Sequence, residues 1–304
     1  MDNDNKLVKL IKKIIKKNKF NYEYRNVKIL DSNNGNIKIS EILSEGKPVM
    51  IARCGATEMR CVSEFLKSDF KGVFSDKIKK EIQELSGVFP ATDKILVNFC
   101  KEYIRCTSNA DILALWGVGA ESKVVHNYCK STEYIHLRSL EPYYFNDPWS
   151  KNLEGKKVLV IHPFSESIKK QYQKRKKLFE NENILPEFKE LICIKAVQSI
   201  ANEETEFNNW FEALQYMKNE IDNVEFDIAI IGAGAYGLPL AEHIKSLGKI
   251  SIQMSGATQI LFGIKGKRWD EHEFISKLYN DDWVKALGNE KPKNSNKVEG
   301  GSYW

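Results

Sequence analysis

FDIAIIGAGAYGLPLAEHIKSLGKISIQMSGATQILFGIKGKRW, residues Phe226 to Trp269, holds the pattern from which the fold is read. An apolar run, Phe226 to Ile231, leads into Gly232-x-Gly234-x-x-Gly237; an amphipathic segment follows to Gly248, then a second apolar run, Ile250 to Met254. The order predicts strand, tight turn, helix and strand, one βαβ unit with its loop at the carboxyl end of the first strand. Glycine lets backbone N–H groups approach a ligand, and a helix N-terminus favours an anion, so a diphosphate suits the turn. The same spacing also serves close helix–strand packing, and both readings stay open. A dinucleotide fold needs an acid near the end of its second strand; here that strand ends in Gln253 and Met254, followed by Ser255-Gly256-Ala257-Thr258. Lys265, Lys267 and Arg268 then form a glycine-spaced basic loop beside Trp269, suited to a phosphate with a base or sugar flanking it, or to plain solvation.

Upstream the alternation continues. Lys157 to Ile161 reads as a strand, Ile168 to about Glu180 as a lysine-rich helix and Leu191 to Ile194 as a strand. Phe207 to Ile221 reads as a helix with Trp210, Phe211, Leu214 and Met217 on one face. This predicts an α/β, Rossmann-like, doubly wound and mostly parallel sheet with helices on both faces. His162 and Glu166, in His162-Pro163-Phe164-Ser165-Glu166-Ser167, follow a strand; each reads as an acid/base, a hydroxyl ligand or a helix-capping group.

In the first half, Pro48 to Ala52 is a short strand followed by Arg53-Cys54-Gly55-Ala56-Thr57-Glu58 and a helix from Met59 to Leu66. Arg53, Gly55 and Glu58 therefore sit at a strand-to-helix junction, where open α/β sheets bind ligands. Glu58 suits a divalent cation, a sugar hydroxyl or a base, and Arg53 suits phosphate; an Arg53–Glu58 tie between loop and helix is the plainer alternative. Helices are expected over Asp76 to Leu85 and Ala91 to Tyr103, with strands over Ile112 to Trp116 and Tyr134 to Leu137. The aromatic and acidic segment Leu140 to Trp149 reads as a connection between halves or a sugar-binding surface. Asp31 to Asn36 reads as a loop, Glu271 to Leu278 as a helix, and the last two aromatics, Tyr303 and Trp304, as a docked tail.

Lys6 to Phe20 has Leu7, Leu10, Ile11, Ile14 and Ile15 on one helical face and lysines elsewhere. That pattern suits an anionic membrane surface or packing on the protein body. The organisation expected is residues 1–40 as basic helix and linker, 41–150 as the half carrying Arg53-x-Gly55-x-x-Glu58, and 151–304 as the Rossmann-like half. A net charge of only +5 does not call for nucleic acid, and no apolar run approaches the roughly 20 residues that span a bilayer. No signal peptide is expected, and the six cysteines, without a CxxC pair, read as reduced thiols of a cytoplasmic protein.

Arg53-x-Gly55-x-x-Glu58 after a strand, with a glycine-rich βαβ unit in the second half, resembles the GT-D-type glycosyltransferases of bacterial surface-polysaccharide and glycoprotein assembly. The blocks His162 to Ser167, Gly232 to Gly237 and Gly256 to Gln259 look like those of relatives in that group, and the resemblance spans about Pro48 to Trp269. It implies a nucleotide-diphospho-sugar donor and a glycan acceptor, and the basic segment Lys6 to Phe20 would bring the chain to a lipid-linked acceptor at the inner face of the membrane. It further implies Glu58 as the essential carboxylate, with Arg53, Gly55, the loop Gly232, Gly234, Tyr236 and Gly237, Ser255 and Gly256, and Lys265, Lys267 and Arg268 around the donor. Glu166 and His162 follow as acceptor bases. In that family an Asp-x-Glu motif is associated with Mn²⁺ or Mg²⁺; Glu58 matches its glutamate, and Ala56 stands where the aspartate is expected. An NAD(P)-dependent oxidoreductase and a non-catalytic nucleotide-sugar-binding module remain the alternatives.

Overall fold

The computed structural model describes residues 15–298 and 300–304. Eight parallel strands form one sheet in the order β1-β4-β3-β2-β8-β7-β5-β6. They are β1 (Ile29–Leu30), β2 (Val49–Arg53), β3 (Ile112–Leu115), β4 (Glu133–His136), β5 (Lys157–His162), β6 (Glu190–Lys195), β7 (Ile228–Ile231) and β8 (Ile250–Gln253). A separate parallel pair, β9 (Ile264–Lys265) and β10 (Val284–Lys285), lies beyond the sheet in the chain. The α/β, doubly wound reading therefore holds.

Side-chain alternation splits the core into two layers. Met50, Ala52, Leu113, Leu115, Leu159, Ile161, Ala229 and Ile231 face one layer; Val49, Ile51, Ile112, Ala114, Val158, Val160, Ile228 and Ile230 face the other. Both faces are apolar because parallel strands are joined by crossovers that cover them. The helices Ala56–Lys67, Asp93–Ser108, Trp210–Asp222 and Gly237–Ser246 contribute to the first layer. Ser32–Glu45 and Ser165–Tyr172 contribute to the second. The chain steps one way along the sheet over one face and back over the other, as a uniform crossover hand requires.

Three local expectations are corrected. Asp31 to Asn36 is the start of the 14-residue helix Ser32–Glu45, with Asp31 accepting from the Asn33 and Asn34 backbone N–H groups. Gly35 and Asn36 are there for contact: a Cβ on Gly35 would lie 2.2 Å from Ser139 Oγ, and Asn36 bonds the backbone at Asp147 and Trp149. The helix after β5 ends at Tyr172, not near Glu180, and Glu271 to Leu278 contains only a 3₁₀ turn, Ile275–Leu278. The proposed helix over Lys6 to Phe20 lies outside the described residues up to 14. Residues 15–23 are helical, and no described helix is long and apolar enough to cross a membrane.

Trp210 ties the halves together. Fully buried, it meets Phe99 edge-on at 5.2 Å and stacks on Tyr236 at 5.1 Å, while its backbone N–H donates to Phe89 O. Trp210→Ala removes an aromatic from a site closed on both sides, so urea denaturation should show a loss of about 3–5 kcal/mol.

Candidate functional site

β2 and β8 are neighbours, yet their chains leave in different directions, so a cleft opens at their carboxyl ends. A cavity of about 260 Å³ lies there, lined from β2 by Arg53, Gly55 and Glu58 and from β8 by Ser255 and Gly256. Gly234, Glu141, Trp116, Arg268, Trp269 and Tyr303 complete the parts used below.

Arg53 ends β2. Its backbone N–H donates to Gln253 Oε1 at 2.8 Å, locking the two strand ends together. Its guanidinium lies over the Trp116 ring at 4.6 Å, and its Nε is buried without a hydrogen-bond partner among the described residues. A buried donor left unpaired is costly unless a ligand meets it. Trp116 is fixed in turn, its indole N–H donating to Cys54 O at 2.9 Å. Buried Glu121 accepts from the Trp116 and Gly117 N–H groups and from Tyr24 Oη at 2.6 Å. Burial raises the Glu121 pKa against these bonds.

Glu58 occupies the first turn of Ala56–Lys67 and is 7% exposed. Gly55, the residue capping that helix, gives its N–H to Tyr103 Oη at 2.8 Å. A Cβ on Gly55 would sit 1.8 Å from Glu58 Oε2, so only glycine leaves room for this carboxylate pose. On the far side, the Arg268 guanidinium lies 5.3 Å from the Trp269 ring centre and 4.9 Å from that of Tyr303. The tail is held there by Arg268 N–H to Ser302 O and Gln259 Nε2 to Tyr303 O, with Trp304 packed edge-on against Phe164. The expected docking of the terminal aromatics is observed.

Apart from Gly234, the other residues singled out in the sequence lie elsewhere. Tyr236 is buried, stacked on Trp210, with its hydroxyl paired to Ser199 Oγ at 2.9 Å. A Cβ on Gly232 would meet His162 Cδ2 at 2.4 Å, and one on Gly237 would meet the Gln253 side chain at 3.1 Å. Of the glycine turn, only Gly234 lines the cavity, so the turn chiefly serves packing. Lys265 lies over Tyr279 and Lys267 donates to Gly300 O, both outside the cavity lining. Glu166 is exposed; its backbone N–H, like that of Ser167, is capped by buried Glu290 from the tail. His162 is buried, Nδ1 accepts from Phe164 N–H at 3.0 Å, and burial pushes its pKa down to about 3. It is a neutral structural ring.

Glu141 is the main site residue the sequence reading passed over. It lies in the segment read as a connection or sugar-binding surface, whose aromatics Tyr143 and Trp149 are core. Burial pushes its carboxyl up to about 7, opposed by Arg138 and Arg53. Glu141 lines the cavity. An acid between Leu140 and Pro142, in the turns beyond β4, was the available signal.

The described residues do not supply the paired carboxylates of an Asp-x-Glu motif, because Ala56 stands where the aspartate is expected. Among the described residues the acidic ones that line the cavity are Glu58 and Glu141, set beside the Arg53 and Arg268 guanidinium groups, and Ala56 adds no oxygen. Among the described residues no group of three His, Cys, Asp or Glu is placed to hold a metal ion. Comparison of the chain with protein-family models, curated proteins and solved structures gives no match.

His162 yields a pH prediction with a fixed sign. Its folded pKa is depressed, so as pH falls below about 6.5 the unfolded chain takes up a proton that the fold refuses, until about 3. Stability should fall through that window by up to about 1.4 kcal/mol per pH unit from this group. His162→Gln should flatten the acid limb of stability against pH, read from denaturant midpoints.

Proposed function

We propose that this chain is a glycosyltransferase that moves a sugar from a nucleoside-diphosphate donor onto a glycan or lipid-linked acceptor. The observation that carries the reading is the Trp116-stacked Arg53 guanidinium, its Nε unpartnered among the described residues, in one cavity with Glu58 and the Arg268–Trp269–Tyr303 cluster. Two guanidinium groups suit a diphosphate, which they bind through short charge-assisted bonds. Aromatic faces suit a base or a sugar ring. As the bond between sugar and phosphate breaks, negative charge grows on the leaving diphosphate, where Arg53 and Arg268 stabilise it in place of a metal. Glu58 would accept hydrogen bonds from sugar hydroxyls and face the positive charge that develops at the anomeric carbon.

The nicotinamide alternative loses support at β8. Gln253 stands where a ribose-binding acid belongs and its side chain is engaged by Arg53 N–H. A binding module without catalysis is the outcome in which donor binds and no turnover follows.

The first test is thermal stabilisation by UDP-, GDP- and dTDP-sugars against NAD(P), each with and without Mn²⁺. A donor at about 100 times its Kd should add about 2.7 kcal/mol, and Mn²⁺ should not increase the shift. A shift with NAD(P) alone would overturn the reading. Arg53→Ala should weaken donor binding about 10- to 100-fold, the loss of a charge-assisted contact. Glu58→Gln should keep binding and abolish turnover; a fully active variant would remove Glu58 from the chemistry.

The basic pattern at Lys6 to Lys17 supports contact with an anionic membrane surface. Removing residues 1–14 should then abolish co-sedimentation with phosphatidylserine vesicles; unchanged sedimentation would dispose of the membrane contact.

A further inference from the structure

Transfer to a hydroxyl needs a group to take its proton, and the two sequence candidates, His162 and Glu166, do not reach the cavity. We infer that Glu141 is the general base that accepts the proton of the attacking hydroxyl, an inference that rests on the transferase reading. Among the described residues, Glu141 and Glu58 are the acidic ones that line the cavity, and they come from unlike settings. Glu58 belongs to the first turn of a long helix. Glu141 stands at the break between the 3₁₀ turns Leu137–Leu140 and Pro142–Tyr144, beyond β4.

The backbone at Glu141 is held from both sides. Its N–H donates to Arg138 O at 3.0 Å and its C=O accepts from Tyr144 N–H at 3.2 Å. Leu140 and Tyr143 are buried beside it, and Pro142 fixes the next φ. These bonds fix the point from which the side chain leaves the backbone, the first requirement for placing a base. The charged and titratable groups around it are Arg138, which lies over the Tyr144 ring, Arg53 from β2, and the Tyr143 and Tyr144 hydroxyls. Burial outweighs the two cations and brings the carboxyl to about 7, where a base can both be ionised and hold a proton. Two carboxyls with separated environments are the usual arrangement for dividing electrostatic and proton-transfer roles.

The step balances without a redox partner. The acceptor hydroxyl gives its proton to a Glu141 carboxylate oxygen as its own oxygen forms a bond to the anomeric carbon of the donor. The bond from that carbon to the phosphate oxygen breaks, and its electron pair leaves on the nucleoside diphosphate facing Arg53 and Arg268. With water as acceptor the same step releases free sugar.

The test uses the full chain and the nucleotide-sugar panel. Calorimetry reads donor binding, and release of nucleoside diphosphate into water is followed from about pH 5 to about pH 9. Wild-type turnover should rise through about pH 7 as the Glu141 carboxylate forms. Glu141→Gln should bind donor as the wild type does, lose about 10²- to 10⁴-fold in turnover, and lose the rising limb. Glu141→Asp should retain part of the turnover with the limb displaced, and it carries the test if the Gln variant melts early. Turnover by Glu141→Gln at the wild-type rate and pH profile would remove Glu141 from the reaction and leave the transferase reading standing. Failure of the wild type to bind any nucleotide sugar would overturn both.

Discussion

The parallel pairing of β2 with β8, Val49 to Ile250 through Ile51 to Ile252, is the constraint from which the site follows. These strands are about 200 residues apart in sequence, and their contact joins the two groups of strands into one sheet. Once they pair, Arg53 and Gln253 must end side by side, and the bond from Arg53 N–H to Gln253 Oε1 closes the seam. Arg53, Gly55 and Glu58 are hung from the end of β2 and Ser255 and Gly256 from the end of β8, while Tyr303 is brought to them by the tail. Both faces of the sheet are covered by apolar layers, so the polar side chains of this site gather at the strand ends.

The elements that could be read from the sequence are those whose signal is local. Val158 to Ile161 and Ile228 to Ile231 are apolar runs of strand length, and Trp210, Leu214 and Met217 repeat at helical spacing. Arg53, Gly55 and Glu58 could be found because a strand-to-helix junction fixes their place relative to the sheet edge. Residues whose roles depend on distant partners could not be placed. Asn33, Asn34 and Gly35 look like a loop until Ser139 and Trp149 come to meet the helix. Gly232 and Gly237 have the spacing of a phosphate turn, but the space they leave is filled by His162 and Gln253. Glu141 has no local mark beyond being an acid in the turns after β4, because its value comes from the cavity it lines.

His162 shows how misleading chemical identity can be without position. An imidazole just past a strand reads as an acid/base, yet here the ring fills the space above Gly232 and its Nδ1 accepts from Phe164 N–H. Burial without a counter-charge depresses its pKa far below neutrality, so the group is a donor–acceptor of fixed form. Glu141 is shifted by the same cause in the opposite sense, because burial opposes the charged form of either group. One effect thus silences the histidine and brings the glutamate near neutrality.

The two cations of the cavity are set in place by opposite ends of the chain. Tyr24 donates to Glu121, which holds Trp116 and Gly117, and Trp116 supports the Arg53 guanidinium. Phe20 covers Gly117, where a Cβ would come within 3.0 Å of its ring. At the other end, Ser302 accepts from Arg268 N–H, and Tyr303 lies against the Arg268 guanidinium and beside Gly256. A βαβ unit carrying the glycine turn therefore contains neither half of the charge pair in its working setting. The site is made by contacts of high sequence separation, so it forms only when the whole described chain has folded. This is why the glycine turn, the most conspicuous motif in the sequence, marks where the cavity is without being what fills it.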